Sequence, residues 1–165
     1  MSSADDLLQT RIIELLPKLR RFARSLTRNP DDADDLLQGA LERALTHLHQ
    51  WQADTRLDSW LYTIVRHAWI DELRARSRRE RSLYDGAQAE RVADPSADAG
   101  ASLSIQQALQ RLPEEQRLAV ALVLIDGLPY KEAAQIIGVP MGTLTSRLAR
   151  GRQALQQILG PGDGA

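Results

Sequence analysis

Apolar residues recur at three- and four-residue intervals through most of this chain, and that spacing predicts an all-α fold. Leu57, Trp60, Leu61, Ile64, Val65, Ala68 and Leu73 form one stripe of a helix running from residue 57 to about 77. Upstream, Leu7, Leu8, Ile12, Ile13, Leu15 and Leu16 mark a short amphipathic helix over residues 5–16. Pro17 is placed to open a second helix reaching about Thr27, with Leu19, Phe22, Ala23 and Leu26 inward. Asn29-Pro30-Asp31-Asp32 combines a capping side chain, a proline at the first helical position and two acids at the positive end of the helix dipole. The helix it starts ends near residue 48. Ala33, Leu36, Leu37, Ala40, Leu41, Ala44, Leu45 and Leu48 form its buried face, and Asp35, Gln38 and Glu42 its opposite face.

The periodicity stops after the arginine-rich end of the 57–77 helix. Residues 82–102 are rich in Ala, Asp, Gly and Ser with no apolar face, which predicts a flexible linker between two small helical domains, 1–81 and 103–160. The pattern restarts with Leu103, Ile105, Leu109 and Leu112 on a helix that Pro113 ends. Pro113-Glu114-Glu115 opens another that carries Leu118 to Ile125 until Gly127. A shorter helix over about 130–137, a Gly138-Val139-Pro140 turn and a last helix over about 141–159 follow. Within them, Ala134, Gly138 and Leu144 have the spacing of a helix-turn-helix: a small residue for close approach, a glycine for a left-handed turn, an apolar residue to lock the crossing.

Charge changes this picture. The net charge is only −1, yet Lys18 to Arg28 holds five cations and no acid, Asp31 to Glu42 five acids and no cation, and Gly142 to Leu159 three arginines and no acid. In a helix-turn-helix the second helix enters the major groove, so Thr143, Thr145, Ser146, Arg147 and Arg150 are candidate DNA contacts. Trp51, Trp60 and Tyr62 lie in or beside an irregular segment at the entry of the 57–77 helix, and Arg74, Arg76, Arg78, Arg79 and Arg81 at its exit. Aromatic faces for unpaired bases beside cations for phosphates are what a single-strand site needs. The acidic face of Asp35, Gln38 and Glu42 cannot meet phosphate and is either plain solvent-facing helix or a protein-docking surface.

With no cysteine and three scattered histidines, neither disulfides nor a metal cluster is expected, and no cofactor. No nucleophile elbow or phosphate loop occurs, which argues against an enzyme. The start MSSADDLLQT has no basic leader, and no long apolar window occurs, so a cytoplasmic chain without membrane insertion is expected.

Three stretches, NPDDADDLLQGALERAL, LDSWLYTIVRHAWIDELRARSRR and LPEEQRLAVALVLIDGLPYKEAAQIIGVPMGTLTSRLARGRQAL, taken in this order, resemble the extracytoplasmic-function alternative sigma factors of bacterial RNA polymerase, which keep only sigma domains two and four. The resemblance covers Leu15 to Leu159. It implies core RNA polymerase and promoter DNA as partners, with no small-molecule substrate, and an anti-sigma factor that holds the protein inactive until a stress signal. It assigns Asp35, Gln38 and Glu42 to polymerase docking. Trp51, Asp58, Trp60, Arg66, His67 and Arg74 go to capture of the minus-ten element, and Thr143, Thr145, Ser146, Arg147 and Arg150 to the minus-thirty-five element. The chain departs from the family pattern at Gly39, where Glu is common, at His67 for Asn, at Thr145 and Ala149 on the last helix, and at Pro129 for a Ser cap. A sigma mimic that sequesters an anti-sigma factor without reading DNA is the alternative, and a helix-turn-helix repressor using only the second half is a third reading.

Overall fold

A computed structural model describes residues 3–86 and 104–160, and every regular element in them is helical. The elements are α1 (Ser3–Leu26), α2 (Pro30–Thr46), a 3₁₀ turn (Leu48–Gln50), α3 (Leu57–Gly86), α4 (Ile105–Gln110), α5 (Glu114–Val120), α6 (Tyr130–Ile137) and α7 (Met141–Leu159). The predicted starts at Pro30, Leu57, Tyr130 and Met141 all hold.

Pro17 does not open a second helix, because α1 runs through it. The proline removes one backbone hydrogen bond, a loss of about 3 kcal/mol in an isolated helix. Its ring faces solvent, however, and Ile12, Leu19, Phe22, Ala23 and Leu26 on either side remain one buried stripe. Ile13 and Leu7, read as part of that face, are exposed instead.

Helix α3 also outlasts its apolar pattern and continues to Gly86, past the predicted domain boundary at residue 81 and into the predicted linker. Arg76 donates to Glu72 at 3.1 Å, lies 5.7 Å from the Trp69 ring centre, and is joined by Arg79 on the same Glu72. Such spaced charge pairs support a helix without a buried face. The rest of the predicted linker, 87–102, and Leu103 lie outside the described residues.

In the second half Ser104 and Gln107 form a reciprocal capping box at the start of α4, and Ile105 is exposed rather than inward. Helix α5 widens into a π-helical turn over Ala121–Ile125, closed by Asp126 N–H donating to Ala121 O at 3.0 Å. Such turns are rare and tend to mark functional positions; this one presents Asp126 to the first half of the chain. The glycine of the helix-turn-helix, Gly138, is left-handed at φ 79°, and Ala134 and Leu144 are buried around it as the spacing required.

The second helix of that motif also crosses α5 closely. A Cβ at Gly151 would sit 2.7 Å from Val120 Cγ2 and 3.3 Å from the Gln116 carbonyl. Gly151→Ala is therefore expected to lower stability by about 1–3 kcal/mol through overpacking, more than the gain of about 1 kcal/mol in helix propensity. Urea denaturation tests this; an unchanged midpoint would mean that Val120 gives way freely.

The buried side chains of the two halves form one contiguous cluster rather than two separate small cores. Along the seam, the carbonyls at the end of α1 are capped by side chains from the second half. Gln106 donates to Arg24 O at 3.2 Å, Gln110 to Thr27 O at 2.6 Å and Arg117 to Leu26 O at 3.4 Å. Helix ends need such partners when they are covered.

Candidate polymerase and promoter surfaces

Helix α2 is set by its cap. Asn29 Oδ1 accepts from Asp32 N–H at 2.8 Å, and Pro30 follows. With Ala33, Leu36, Leu37, Ala40 and Ala44 turned inward, Asp35, Gln38 and Glu42 are all exposed. They do not lie on a plain convex face. Gln38 and Glu42, with Asp34 and with Arg20 and Arg24 of α1 opposite, rim a groove of about 420 Å³ floored by Leu37, Leu41 and Leu45, and Leu45 is 53% exposed. Asp35 rims a second cleft of about 240 Å³ against α3, with Gly39, Trp69, Glu72 and Arg76. A Cβ at Gly39 would meet nothing within 4 Å. The glycine leaves a notch there that a glutamate would fill.

The segment before α3 is held by its own side chains. Trp51 is half-buried under the Arg11 guanidinium, 5.8 Å from the ring centre, and its indole N–H is buried without a partner. Asp58 accepts from Arg56 at 2.8 and 3.1 Å and from Ser59 N–H at 2.8 Å. Burial pushes the Asp58 carboxyl up, but the Arg56 hydrogen bond, the Ser59 amide and the Arg56 and Lys18 charges outweigh it and hold the group below the usual carboxylate range. Trp60 is half-buried.

Tyr62 differs from the expectation: it is 1% exposed and cannot offer a face to a base. Its ring packs edge-on against Phe22 at 5.3 Å, and its hydroxyl donates to Asp126 at 2.7 Å. Burial first, then that carboxylate, raises the phenol well above its ordinary pKa. Further along α3, His67 and Arg74 are exposed two turns apart, while Arg66 is half-buried with its Nε lacking a partner. Burial, and then the charge of Arg147, lowers the Arg66 pKa.

On α7, at about 100° per residue, Thr143, Ser146, Arg147 and Arg150 fall within one stripe, and Thr143 and Arg147 are half-buried at its edge. Thr145 does not join it. It lies on the other flank, where its hydroxyl donates to Met141 O at 2.8 Å.

Several residues that matter were not singled out from the sequence. Arg56 bridges Asp58 and Glu132 of α6. Asp126 receives both Arg21, at 2.9 Å, and Tyr62. Glu114 receives Trp69 Nε1 and Arg117. Only the Glu114–Arg117 pair, three residues apart on α5, had a local signal.

Two family models match the chain, Sigma-70 region 2 over residues 11–79 and Sigma-70, region 4 over residues 102–155. The ECF RNA polymerase sigma factor EcfG of Rhodopseudomonas palustris is 39% identical over 156 residues, covering 93% of this chain and 86% of that protein. The chain belongs to the extracytoplasmic-function sigma factors. SigM of Mycobacterium tuberculosis, another such factor, is 39% identical over 144 residues, 87% of this chain and 72% of its own length. Among solved structures, the sigma factor RpoE in complex with the anti-sigma factor NepR from Bartonella quintana matches with a TM-score of 0.75 at 35% identity, covering 92% of this chain and 95% of that one. This sigma factor is accordingly a transcription regulator with domains two and four, not an enzyme. Among its described residues no helix is long and apolar enough to cross a membrane.

Proposed function

We propose that this sigma factor binds core RNA polymerase in the cytoplasm and directs promoter-specific initiation. Domain two, over about residues 1–81, docks through Asp35, Gln38 and Glu42. It also traps minus-ten bases with Trp51, Asp58, Trp60, Arg66, His67 and Arg74. Domain four, over about 103–160, reads the minus-thirty-five element through Thr143, Ser146, Arg147 and Arg150, with Thr145 at the margin. The observation that carries this reading is the segregation of charge on exposed faces. Along α2 the acids Asp34 and Glu42 face Arg20 and Arg24 of α1 across an apolar-floored groove, and an acid-free stripe with two arginines runs along α7. The first suits a protein partner and the second DNA.

Unpairing promoter bases costs free energy, which stacking on Trp51 and Trp60 offsets at about 1–3 kcal/mol per base. Two modest DNA contacts held on one polymerase gain from effective concentration. A cognate anti-sigma factor that holds the protein until a stress signal is supported by the anti-sigma complex of the 35%-identical RpoE.

The test is transcription in vitro with core polymerase on a pool of random promoter sequences. Start sites that share two spaced upstream motifs are expected, and Asp35→Lys with Glu42→Lys is expected to weaken core binding about tenfold or more by reversing two exposed charges of α2, one at each cleft. Core binding without start sites would favour the sigma mimic, and no core binding would remove the sigma reading for this chain.

A further inference from the structure

The segment from Trp51 to Trp60, where unpaired bases enter on the reading above, is short of free positive charge. It holds two acids, Asp54 and Asp58, and one cation, Arg56. Arg56 is already spent on the carboxylates of Asp58 and Glu132. The next cations along α3 are Arg66, half-buried, and Arg74, which lies about 21 Å beyond Trp60 along the helix axis. A single strand brings a phosphate with every base, so a segment with no cation to spare repels the strand whose bases it stacks.

Helix α1 supplies what the segment lacks. The Arg11 guanidinium lies over the Trp51 ring, 5.8 Å from its centre. Lys18 is near enough to Asp58 for its charge to stabilise that carboxylate. Seven residues apart, the two side chains share one face of α1 about 10 Å from each other along the axis, with half-buried Leu15 between them packed on the core. One cation therefore stands at Trp51 and the other near Asp58. Both are exposed, and among the described residues neither has an ion pair, although Glu14 is close to Arg11 on the same helix.

Arg11 is also better prepared than a free surface arginine. Trp51 is itself packed on the core, and a cation over its ring keeps the in-plane N–H donors that grip phosphate. Part of the entropy of ordering a long side chain is then lost on folding rather than on binding. No motif marks this position, because Arg11 precedes the Leu15 to Leu159 stretch that resembles the family.

We propose that Arg11, with Lys18 two turns on, forms a phosphate-binding edge of the minus-ten site, so that α1 holds the backbone of the strand whose bases enter at Trp51 and Trp60. This deepens the sigma reading above and rests on it.

The test uses the holoenzyme formed with core polymerase and a promoter recovered from the random pool, prepared with the minus-ten bases unpaired, over a series of salt concentrations. Arg11→Met keeps an apolar stem over the indole and removes the charge. It is expected to weaken DNA binding about fivefold or more, with a salt slope shallower by about 0.7, the value for one single-strand phosphate. Arg11→Met combined with Lys18→Met is expected to make the slope shallower by about 1.4. Arg11→Lys keeps the charge and is expected to keep the slope, with an affinity between those of the parent and Arg11→Met. Phosphate contacts carry no sequence information, so Arg11→Met is expected to recover the same minus-ten motif from the pool as the parent.

Unchanged affinity and slope in Arg11→Met would remove α1 from the DNA site. A loss of affinity at an unchanged slope would mean that Arg11 only packs on Trp51, and a changed minus-ten motif would make it a base reader; either overturns the phosphate edge. Affinity for core polymerase, measured for each variant, confirms that a loss lies in DNA binding. If the parent yields start sites and Arg11→Met binds the promoter equally well, the phosphate edge alone fails. If the parent yields none, the sigma reading fails and the edge with it.

Discussion

Arg117→Met lowers the stability of the folded chain by about 3 kcal/mol or more, one of the two largest effects expected of any change described for this protein. Arg117 is 8% exposed and spends its guanidinium on five acceptors. Nε donates to Leu109 O at 2.8 Å and Nη2 to Gln110 O and Leu112 O at 3.1 and 3.0 Å, while Nη1 reaches Glu114 at 2.9 Å and Leu26 O at 3.4 Å. Three of these carbonyls belong to the end of α4 and the turn after it, where a helix leaves acceptors over; Leu109 O also accepts from the Leu112 amide. Methionine fills the space but removes the guanidinium donors from these oxygens and leaves the Glu114 carboxylate with the Trp69 indole N–H in place of two donors. That costs more than the guanidinium's own desolvation, which already lowers its pKa.

For a chain of this size the loss corresponds to a fall in Tm of about 6–12 °C. Arg117→Lys keeps the charge without the fork and is expected to fall between. Thermal and urea denaturation of the full-length protein measure both, and a loss below about 1 kcal/mol for Arg117→Met would show that water replaces the guanidinium at no great cost.

Promoter use falls about 100-fold when Arg147→Ala and Arg150→Ala are combined. Each good arginine contact to a base edge or phosphate is worth about 1–3 kcal/mol, and the two side chains lie a turn apart on the same stripe of α7. Quantitative transcription and DNA binding over a salt series distinguish the two kinds of contact. Loss of a phosphate contact makes the salt dependence shallower by about one per residue, whereas loss of a base contact relaxes sequence preference at one position. Thr145→Ala provides the internal comparison. Its hydroxyl proton is spent on Met141 O and it lies off the stripe, so its effect is expected within about threefold of the parent. A Thr145→Ala defect as large as that of the arginine pair would put the reading face on the other flank of α7.

The helices and their faces were legible because the information that makes them is local. Asn29 and Pro30 start α2 whatever surrounds them, and Gly138 supplies a left-handed turn between α6 and α7. The 3.6-residue period of Leu57 to Ala68 describes a buried stripe without naming what covers it. The charge blocks were equally plain: the acids of α2 and the acid-free α7 stand on the exposed faces where the sequence put them. Where local signals misled, a neighbour in space had overruled them. Pro17 is a good helix start, yet packing of the stripe from Ile12 to Leu26 carries α1 through it. Tyr62 sits beside two tryptophans in sequence, yet its hydroxyl finds Asp126, sixty-four residues away, and the ring goes inside.

By itself, then, the sequence determined a helical chain with the two different sigma regions, two and four, the helix-turn-helix and its glycine, and which surface is acidic and which basic. Only the tertiary structure decided that the two halves share one buried cluster, that Arg117 caps α4 and α1 together, and that Glu132 and Asp126 hold the arginines of the other half. The physical reason is range. Periodicity, caps and turns act over a few bonds of backbone and repeat in the letters, whereas a salt bridge between residues 56 and 132 forms only once packing has brought two helices together. Nothing in the spacing of residues along the chain encodes which acid will stand opposite which arginine.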